Sequence, residues 1–161
     1  MQNVKRGSDG KRPEPPSLVT FAHWHGDSSG SMASMGSTGE DGGRDFMKEW
    51  RDHGMKNPDS TVRLSFHSFS TDGRTVFRGD ARDVDEDSVD MCAKSMRPTA
   101  STKLFDTAVP EVRKMISAMR AAYDAQPETV RRLHTQSSLI RGIFICFTDG
   151  QDNQSSLCGP L

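Results

Sequence analysis

Side chains that offer oxygen atoms cluster at three places in this sequence. Asp27-Ser28-Ser29-Gly30-Ser31 carries oxygens at the alternate positions 27, 29 and 31, and Gly30 lets the backbone bend between them. Thr102 adds a further hydroxyl and Asp149 a second carboxylate. Hard cations such as Mg²⁺ prefer oxygen ligands, and two carboxylates would balance the charge of the ion. The predicted metal ligands are Asp27, Ser29, Ser31, Thr102 and Asp149.

The elements that must position these side chains can be predicted from residue patterns. Ser17–Trp24 is β-branched and aromatic at its start, which predicts a strand before the first segment. Gly142–Phe147 is a continuous apolar run, which is typical of a strand buried on both faces and precedes Asp149. Leu104–Ala125 has apolar residues at helical spacing, so a long helix is expected directly after Thr102.

The remaining elements complete an alternating pattern. The segment Gly26–Gly43 is predicted to be a loop, and Arg44–Met55 a helix. Thr61–Phe69 and Thr75–Arg78 are predicted to form a hairpin, and Asp83–Met91 a short helix. Strands that alternate with helices predict an α/β fold of three layers, Rossmann-like and doubly wound, with a mostly parallel sheet. In such a sheet the loops after the strands converge, so the three segments are expected to meet.

These motifs resemble those of the von Willebrand factor A (integrin I-like) domain family. The resemblance rests on D-x-S-x-S at Asp27, a distant Thr102 before L-x-D, and Thr148-Asp149-Gly150 after a strand, and it covers roughly residues 17–153. It implies a metal-ion-dependent adhesion site holding Mg²⁺, Mn²⁺ or Ca²⁺. It also implies a non-enzymatic binding module, in which the cation coordinates an acidic residue of a protein partner.

Two features depart from the pattern of that family. His23 and His25 lie where its first strand is apolar; alternate histidines at a strand end are expected to be surface residues, with extra metal ligation as the alternative. The chain also ends at Leu161, before the last strands and helices of the family fold. The strand order 3-2-1-4-5-6 would then leave Gly142–Phe147 as a bare sheet edge, which predicts completion by a partner strand or self-association.

A serine hydrolase is one alternative. Gly26-Asp27-Ser28-Ser29-Gly30 also fits G-x-S-x-G, the nucleophile elbow of α/β-hydrolases. Ser28 would then attack, His134 would act as the base, and Asp106 or Asp149 would orient it. Against this alternative, a loop is expected after Ser31 where the elbow requires a helix, and the role of Thr102 stays unexplained.

A purely structural role is the other alternative. Thr102 could cap the long helix and Asp149 whatever follows the last predicted strand, which would make the chain a degenerate, metal-free fragment of the resembled fold.

Composition restricts the partners. The 161 residues are 33% hydrophobic and carry a net charge of −1, which gives no electrostatic reason to expect nucleic acid or an anionic membrane as a partner. Residues 1–16 are polar and end in Pro13-Glu14-Pro15-Pro16, so they are predicted to be a disordered leader before a domain spanning 17–161. The leader lacks an apolar secretory region, which predicts a cytoplasmic location.

Overall fold

A sheet of four strands organises the chain in a computed structural model, which describes residues 18–150 and 155–156. The strands are β1 (Leu18–Asp27), β2 (Ser60–Phe69), β3 (Gly73–Asp80) and β4 (Ile140–Phe147), in the spatial order β3-β2-β1-β4. β1 runs parallel to both β2 and β4, whereas β2 and β3 form the predicted antiparallel hairpin. The α/β fold with a mostly parallel sheet is therefore confirmed. The predicted leader lies outside the described residues.

Helices cover both faces of the sheet. They are α1 (Thr38–Lys56), α2 (Glu86–Ser95), α3 (Leu104–Asp124), α4 (Glu128–Leu133) and α5 (Gln136–Leu139). Short 3₁₀ helices span Gly30–Met35 and Ala81–Asp83. α1 and α2 pack together on one face of the sheet, and α3 packs on the other against β1 and β4. The layers are therefore helix, sheet and helix, as predicted.

The apolar core lies between the sheet and the pair α1 and α2. Trp24 of β1 stacks on Phe66 of β2, with ring centroids 5.7 Å apart, and on Phe147 of β4 at 5.4 Å. Phe46 of α1 closes the cluster over Trp24 at 5.3 Å. Large aromatic side chains dominate the packing energy of a core, so this cluster holds the three parallel strands β2, β1 and β4 against α1.

The prediction of a loop over Gly26–Gly43 was wrong for most of its length. A 3₁₀ helix begins at Gly30, and α1 begins at Thr38, six residues before the predicted Arg44. The glycines that indicated a loop are packing positions of α1: a Cβ atom on Gly43 would lie 3.0 Å from the Phe66 ring, and one on Gly42 would lie 3.3 Å from Trp24. Because glycine has no side chain, the helix can approach the aromatic core closely at these positions.

The prediction that His23 and His25 are surface residues was also wrong. His23 is 4% exposed and His25 is fully buried, because both side chains lie on the sheet face that α3 covers. The hydroxyl of Thr107 in α3 lies 3.1 Å from the Nε2 atom of His25. Alternation along a strand indicates which residues share a face, but the docking of α3 determines whether that face meets water.

β4 is an edge strand among the described residues, where it pairs only with β1. Its residues are mostly half-buried or exposed, and Ile143 is 39% exposed, so the expectation of burial on both faces was wrong. The bare edge implied by the strand order agrees with this arrangement. An apolar run therefore predicted the strand correctly, although its neighbours determine the burial of its side chains.

Candidate metal centre

Asp27, the last residue of β1, has a fully buried carboxylate. Its Oδ1 atom accepts a hydrogen bond from the backbone N–H of Ser29 at 2.7 Å, and its Oδ2 atom accepts one from the hydroxyl of Thr148 at 2.9 Å. Both donors are neutral, and no salt bridge to Asp27 is formed within residues 18–150 and 155–156. Within the described part of the chain, this buried carboxylate therefore has no partner of opposite charge to offset its loss of hydration.

Ser29 and Ser31 lie beside Asp27 at the start of the 3₁₀ helix. Their hydroxyl groups form a hydrogen bond with each other, with the two oxygens 3.0 Å apart. Neighbouring ligands of an octahedral Mg²⁺ ion, each about 2.1 Å from the metal, are about 3 Å apart. The spacing of the two hydroxyls therefore matches one edge of such a coordination sphere.

The second segment is joined to the first by backbone hydrogen bonds. Thr99 donates its N–H to the carbonyl of Ser28 at 2.7 Å, and Gly30 donates to the carbonyl of Ala100 at 2.5 Å. Thr102 follows two residues later and is 1% exposed. The loop that carries Thr102 is therefore held against the loop that carries Ser29.

The third segment follows β4 and is joined to Asp27 through Thr148. The Thr148 hydroxyl donates to Asp27 and also accepts a hydrogen bond from the N–H of Gly150 at 3.1 Å. Gly150 has a φ angle of 82°, which allows the chain to turn sharply just after Asp149. The three segments thus converge at the carboxyl ends of β1 and β4, while the ligand roles of all five predicted residues stay predictions.

The start of α3 has a capping partner other than Thr102. Its N-cap residue is Lys103, and the hydroxyl of Ser155 accepts hydrogen bonds from the N–H groups of Phe105 and Asp106 at 2.9 and 3.1 Å. The carboxylate of Asp106 in turn accepts from the N–H of Ser156 at 2.9 Å. Because Ser155 satisfies these helix N–H groups, the structure does not support Thr102 as the cap of the helix.

The donor set fits a hard, oxygen-binding cation better than a metal that prefers thiolate or imidazole ligands. No group of three or more His, Cys, Asp or Glu side chains within the described ranges is placed to hold a metal ion. A cation near Asp27 would therefore rely on hydroxyl oxygens in addition to carboxylates. Such a set of neutral and charged oxygens suits Mg²⁺, Mn²⁺ or Ca²⁺.

Ser28 points away from this cluster. Its hydroxyl donates to the carbonyl of Phe69 at 3.0 Å and accepts from the hydroxyl of Ser68 at 3.2 Å, and the residue is 5% exposed. A serine nucleophile needs an exposed hydroxyl within reach of a base. The geometry of Ser28 is that of a structural link between β1 and β2, although the predicted loop that counted against an elbow is a 3₁₀ helix.

A cluster of buried histidines under α3 was not predicted. His25 stacks on His67 of β2 with ring centroids 5.0 Å apart, and Glu111 of α3 lies 3.9 Å from the Nδ1 atom of His67. Burial lowers the pKa of His23 to about 4 and that of His25 to about 3, and it also lowers the pKa of His67. The available signal was the pair of alternate histidines in β1 together with His67 in β2, because His25 and His67 lie opposite each other in the parallel register and so share a face.

Comparisons with known proteins give limited similarity. No protein-family model matches the chain, and no curated protein matches it. A solved structure similar to this chain is the vWF domain of the type V pili tip protein Mfa5 from Porphyromonas gingivalis, with a TM-score of 0.40 and 19% sequence identity. The match covers 55% of this chain and 29% of that chain. The fold assignment therefore rests on the strand order and helix layers themselves.

None of the helices in the described ranges is long and apolar enough to cross a membrane.

Proposed function

We propose that this chain is a divalent-cation-dependent protein-binding module that acts in adhesion or assembly. The observation that carries the proposal is the carboxylate of Asp27, which is fully buried and, within the described residues, receives hydrogen bonds from the neutral donors Ser29 and Thr148 and forms no salt bridge. A bound cation would supply the missing counter-charge. Buried charges in proteins are generally paired or coordinate metals, so the proposal explains why a charge is kept at this position.

The ligands of the cation are proposed to be the predicted set. Asp27 and Asp149 would supply the charged oxygens, and Ser29, Ser31 and Thr102 the neutral ones. The 3.0 Å spacing of the Ser29 and Ser31 hydroxyls and the bonds between the three loops support this set. Mg²⁺, Mn²⁺ or Ca²⁺ would provide an electrophilic position that attracts one more carboxylate, which an acidic residue of a protein partner would fill.

The proposal is tested first with the metal alone. Mg²⁺ should raise the melting temperature of the full chain relative to EDTA, because a ligand at 100 times its Kd stabilises the folded state by about 2.7 kcal/mol. Asp27→Asn keeps the shape of the side chain and should abolish this rise. Asp124→Asn, at an exposed position at the end of α3, is the matched control and should keep it.

The outcomes of metal titration decide whether Asp27 holds a cation. One Mn²⁺ ion bound per chain in a titration followed by electron paramagnetic resonance, and lost in Asp27→Asn, supports the proposal. No Mg²⁺ stabilisation of the wild type would favour the metal-free fragment instead, and equal stabilisation of the wild type and Asp27→Asn would contradict a cation held by Asp27.

A further inference from the structure

A cavity of about 270 Å³ lies between α3 and the sheet, apart from the candidate metal centre. β1, β2 and β3 contribute to its walls, and α3 covers it with Glu111, Lys114, Met115 and Ala118. Its volume corresponds to roughly nine water-sized groups, which is close to the lower end of the range for small-molecule sites. The proposed metal-dependent function makes no use of this cavity.

Buried polar atoms beside the cavity have no hydrogen-bond partner in the described part of the chain. These atoms are the Nε2 atom of His23 and the hydroxyl oxygen of Ser65, and both residues line the cavity. Leaving such groups unsatisfied is costly, so each one in a native protein calls for an explanation. A bound molecule that enters the cavity and draws the side chains toward it would provide one.

The charges around the cavity favour an anion. Arg63, Arg78 and Lys114 line it, against the single carboxylate of Glu111. Glu111 is already engaged, because it accepts from Lys114 at 2.6 Å and from Arg78 at 3.4 Å. The lining therefore keeps an excess of positive charge. The side chains of Lys114 and Arg78 are 61% and 57% exposed, so they can reorient toward a ligand at the mouth.

The rest of the lining favours a ligand that carries an apolar group in addition to its anionic group. Phe21, Met115 and Ala118 contribute to walls whose surface consists mainly of apolar atoms. Sites for small molecules commonly combine apolar walls with a few polar groups that fix the orientation of the ligand. Inorganic phosphate or a metal ion would leave these walls in contact with water only.

We infer that this cavity binds a small organic monocarboxylate with an apolar body, of about the size of phenylacetate. The apolar body lies among Phe21, Met115 and Ala118, and the carboxylate lies at the mouth against Arg63. His23 and Ser65 supply hydrogen-bonding groups beside it. The inference concerns a different cavity from the metal centre, and it does not depend on a bound cation.

The test uses phenylacetate and its neutral isostere phenylacetamide, each titrated into the full chain in the presence of EDTA. Binding is followed by isothermal titration calorimetry and by two-dimensional NMR. We expect saturable binding of phenylacetate at millimolar concentrations or below, with chemical-shift changes at His23 and Ser65. Phenylacetamide should bind more weakly.

A matched pair of α3 variants tests the location. Ala118→Trp places a large side chain at the mouth of the cavity and should abolish binding, whereas Ala121→Trp makes the same change outside the lining and should leave it intact. Both alanines are exposed on the helix, so the fold should tolerate either change. Arg63→Gln tests the charge separately: it should weaken phenylacetate binding up to about fivefold and leave phenylacetamide binding unchanged.

Several results would overturn the inference. They are the absence of saturable phenylacetate binding to the wild type, equal binding of the acid and the amide, and unchanged binding in Ala118→Trp. If Ala118→Trp does not fold, the Arg63→Gln comparison still decides whether a carboxylate is recognised. Loss of metal binding in Asp27→Asn would leave the outcome of this test unaffected.

Discussion

The hydroxyl of Thr148 donates a hydrogen bond to the Oδ2 atom of Asp27 at 2.9 Å, and so joins the residue after β4 to the last residue of β1. The two residues are 121 positions apart in the chain. Through this bond the segment that carries Asp149 is held at the carboxylate on which the metal proposal rests.

Thr148→Val should destabilise the chain mainly when no metal is bound. A hydrogen bond to a buried charged group contributes about 1.5–3 kcal/mol, so the free energy of unfolding in EDTA should fall by about 2 kcal/mol. Saturating Mg²⁺ should reduce this difference, because a cation would compensate the charge of Asp27. Urea unfolding with and without Mg²⁺ measures both values. Thr75→Val, at an exposed position of β3, is the control, and an equal loss there would contradict the prediction.

Ser28 and Ser29 are neighbours in sequence that should respond differently to substitution. Ser29→Ala should weaken Mg²⁺ binding by at least roughly tenfold, since even outer-shell partners of a metal contribute that much. Ser28→Ala should cost about 1 kcal/mol of stability through its lost bond to Phe69, and leave Mg²⁺ affinity unchanged. Calorimetric titration with Mg²⁺ checks both.

A fluorophosphonate probe should not label Ser28, because its hydroxyl is buried and donates to a backbone carbonyl. Intact-mass measurement after treatment gives the answer. Labelling that disappears in Ser28→Ala would revive the hydrolase alternative.

Acid should destabilise the fold through the histidines under α3. The pKa of His23 is about 4 in the folded chain, chiefly because of burial, and about 6.5 when unfolded. Below pH 6.5 the unfolded chain therefore binds a proton that the folded chain does not, and stability falls until the pH reaches about 4. Groups that act on His23 are Glu111, which raises its pKa, and His67, Arg78 and Lys114, which lower it.

The contribution of His23 can be isolated by substitution. His23→Phe keeps a ring against Phe144, on which His23 stacks at 4.7 Å, but cannot take up a proton. Its loss of unfolding free energy between pH 7.5 and 5.5 should be smaller than that of the wild type by about 1.4 kcal/mol. His53→Gln, at an exposed position of α1, should show the wild-type loss. An unchanged acid response in His23→Phe would contradict the assigned pKa.

Among the described residues β4 has a neighbouring strand on one side only, and this edge predicts self-association. Edge strands with unpaired backbone groups and apolar side chains tend to pair with another chain, and a lysine on such an edge opposes pairing. Sedimentation velocity should show concentration-dependent dimers of the wild type, and Ile143→Lys should shift them to monomers. Ile116→Lys adds the same charge at a 50% exposed isoleucine of α3 and should not. Wild-type monomers at every concentration would exclude this edge as a self-association surface.

The sequence predicted the elements better than it predicted their surroundings. The apolar run Gly142–Phe147 was correctly predicted to be a strand, because residue type and spacing determine backbone preference locally. Its side chains are half-exposed because it has a neighbouring strand on only one side among the described residues. The number of neighbouring strands cannot be predicted from the residues of the strand itself. His23 and His25 follow the same rule, since their burial depends on the docking of α3.

The meeting of the three loops at the candidate metal centre was predictable for a related reason. Carboxylates and hydroxyls after separate predicted strands indicated that the segments of Asp27 and Asp149 come together, because strand ends converge in a parallel sheet. The Thr148 hydroxyl was not predicted to contact Asp27, since a hydrogen bond between distant loops depends on the positions of both strand ends. The glycines of α1 led to a wrong prediction of a loop. Gly42 and Gly43 are typical loop residues by local preference, but here they lie in a helix where it packs against the sheet.

The stacking of Trp24 on Phe147 makes the chain a candidate for direct optical measurement. The centroid of the Phe147 ring lies 5.4 Å from that of Trp24. Phe147 is the residue immediately before Thr148 in the chain. Any ion that tightens or shifts the end of β4 should therefore alter the emission of Trp24. Trp50 is the other tryptophan, so Trp50→Phe would leave a single fluorophore beside the proposed centre, and cation binding could be followed without any attached dye.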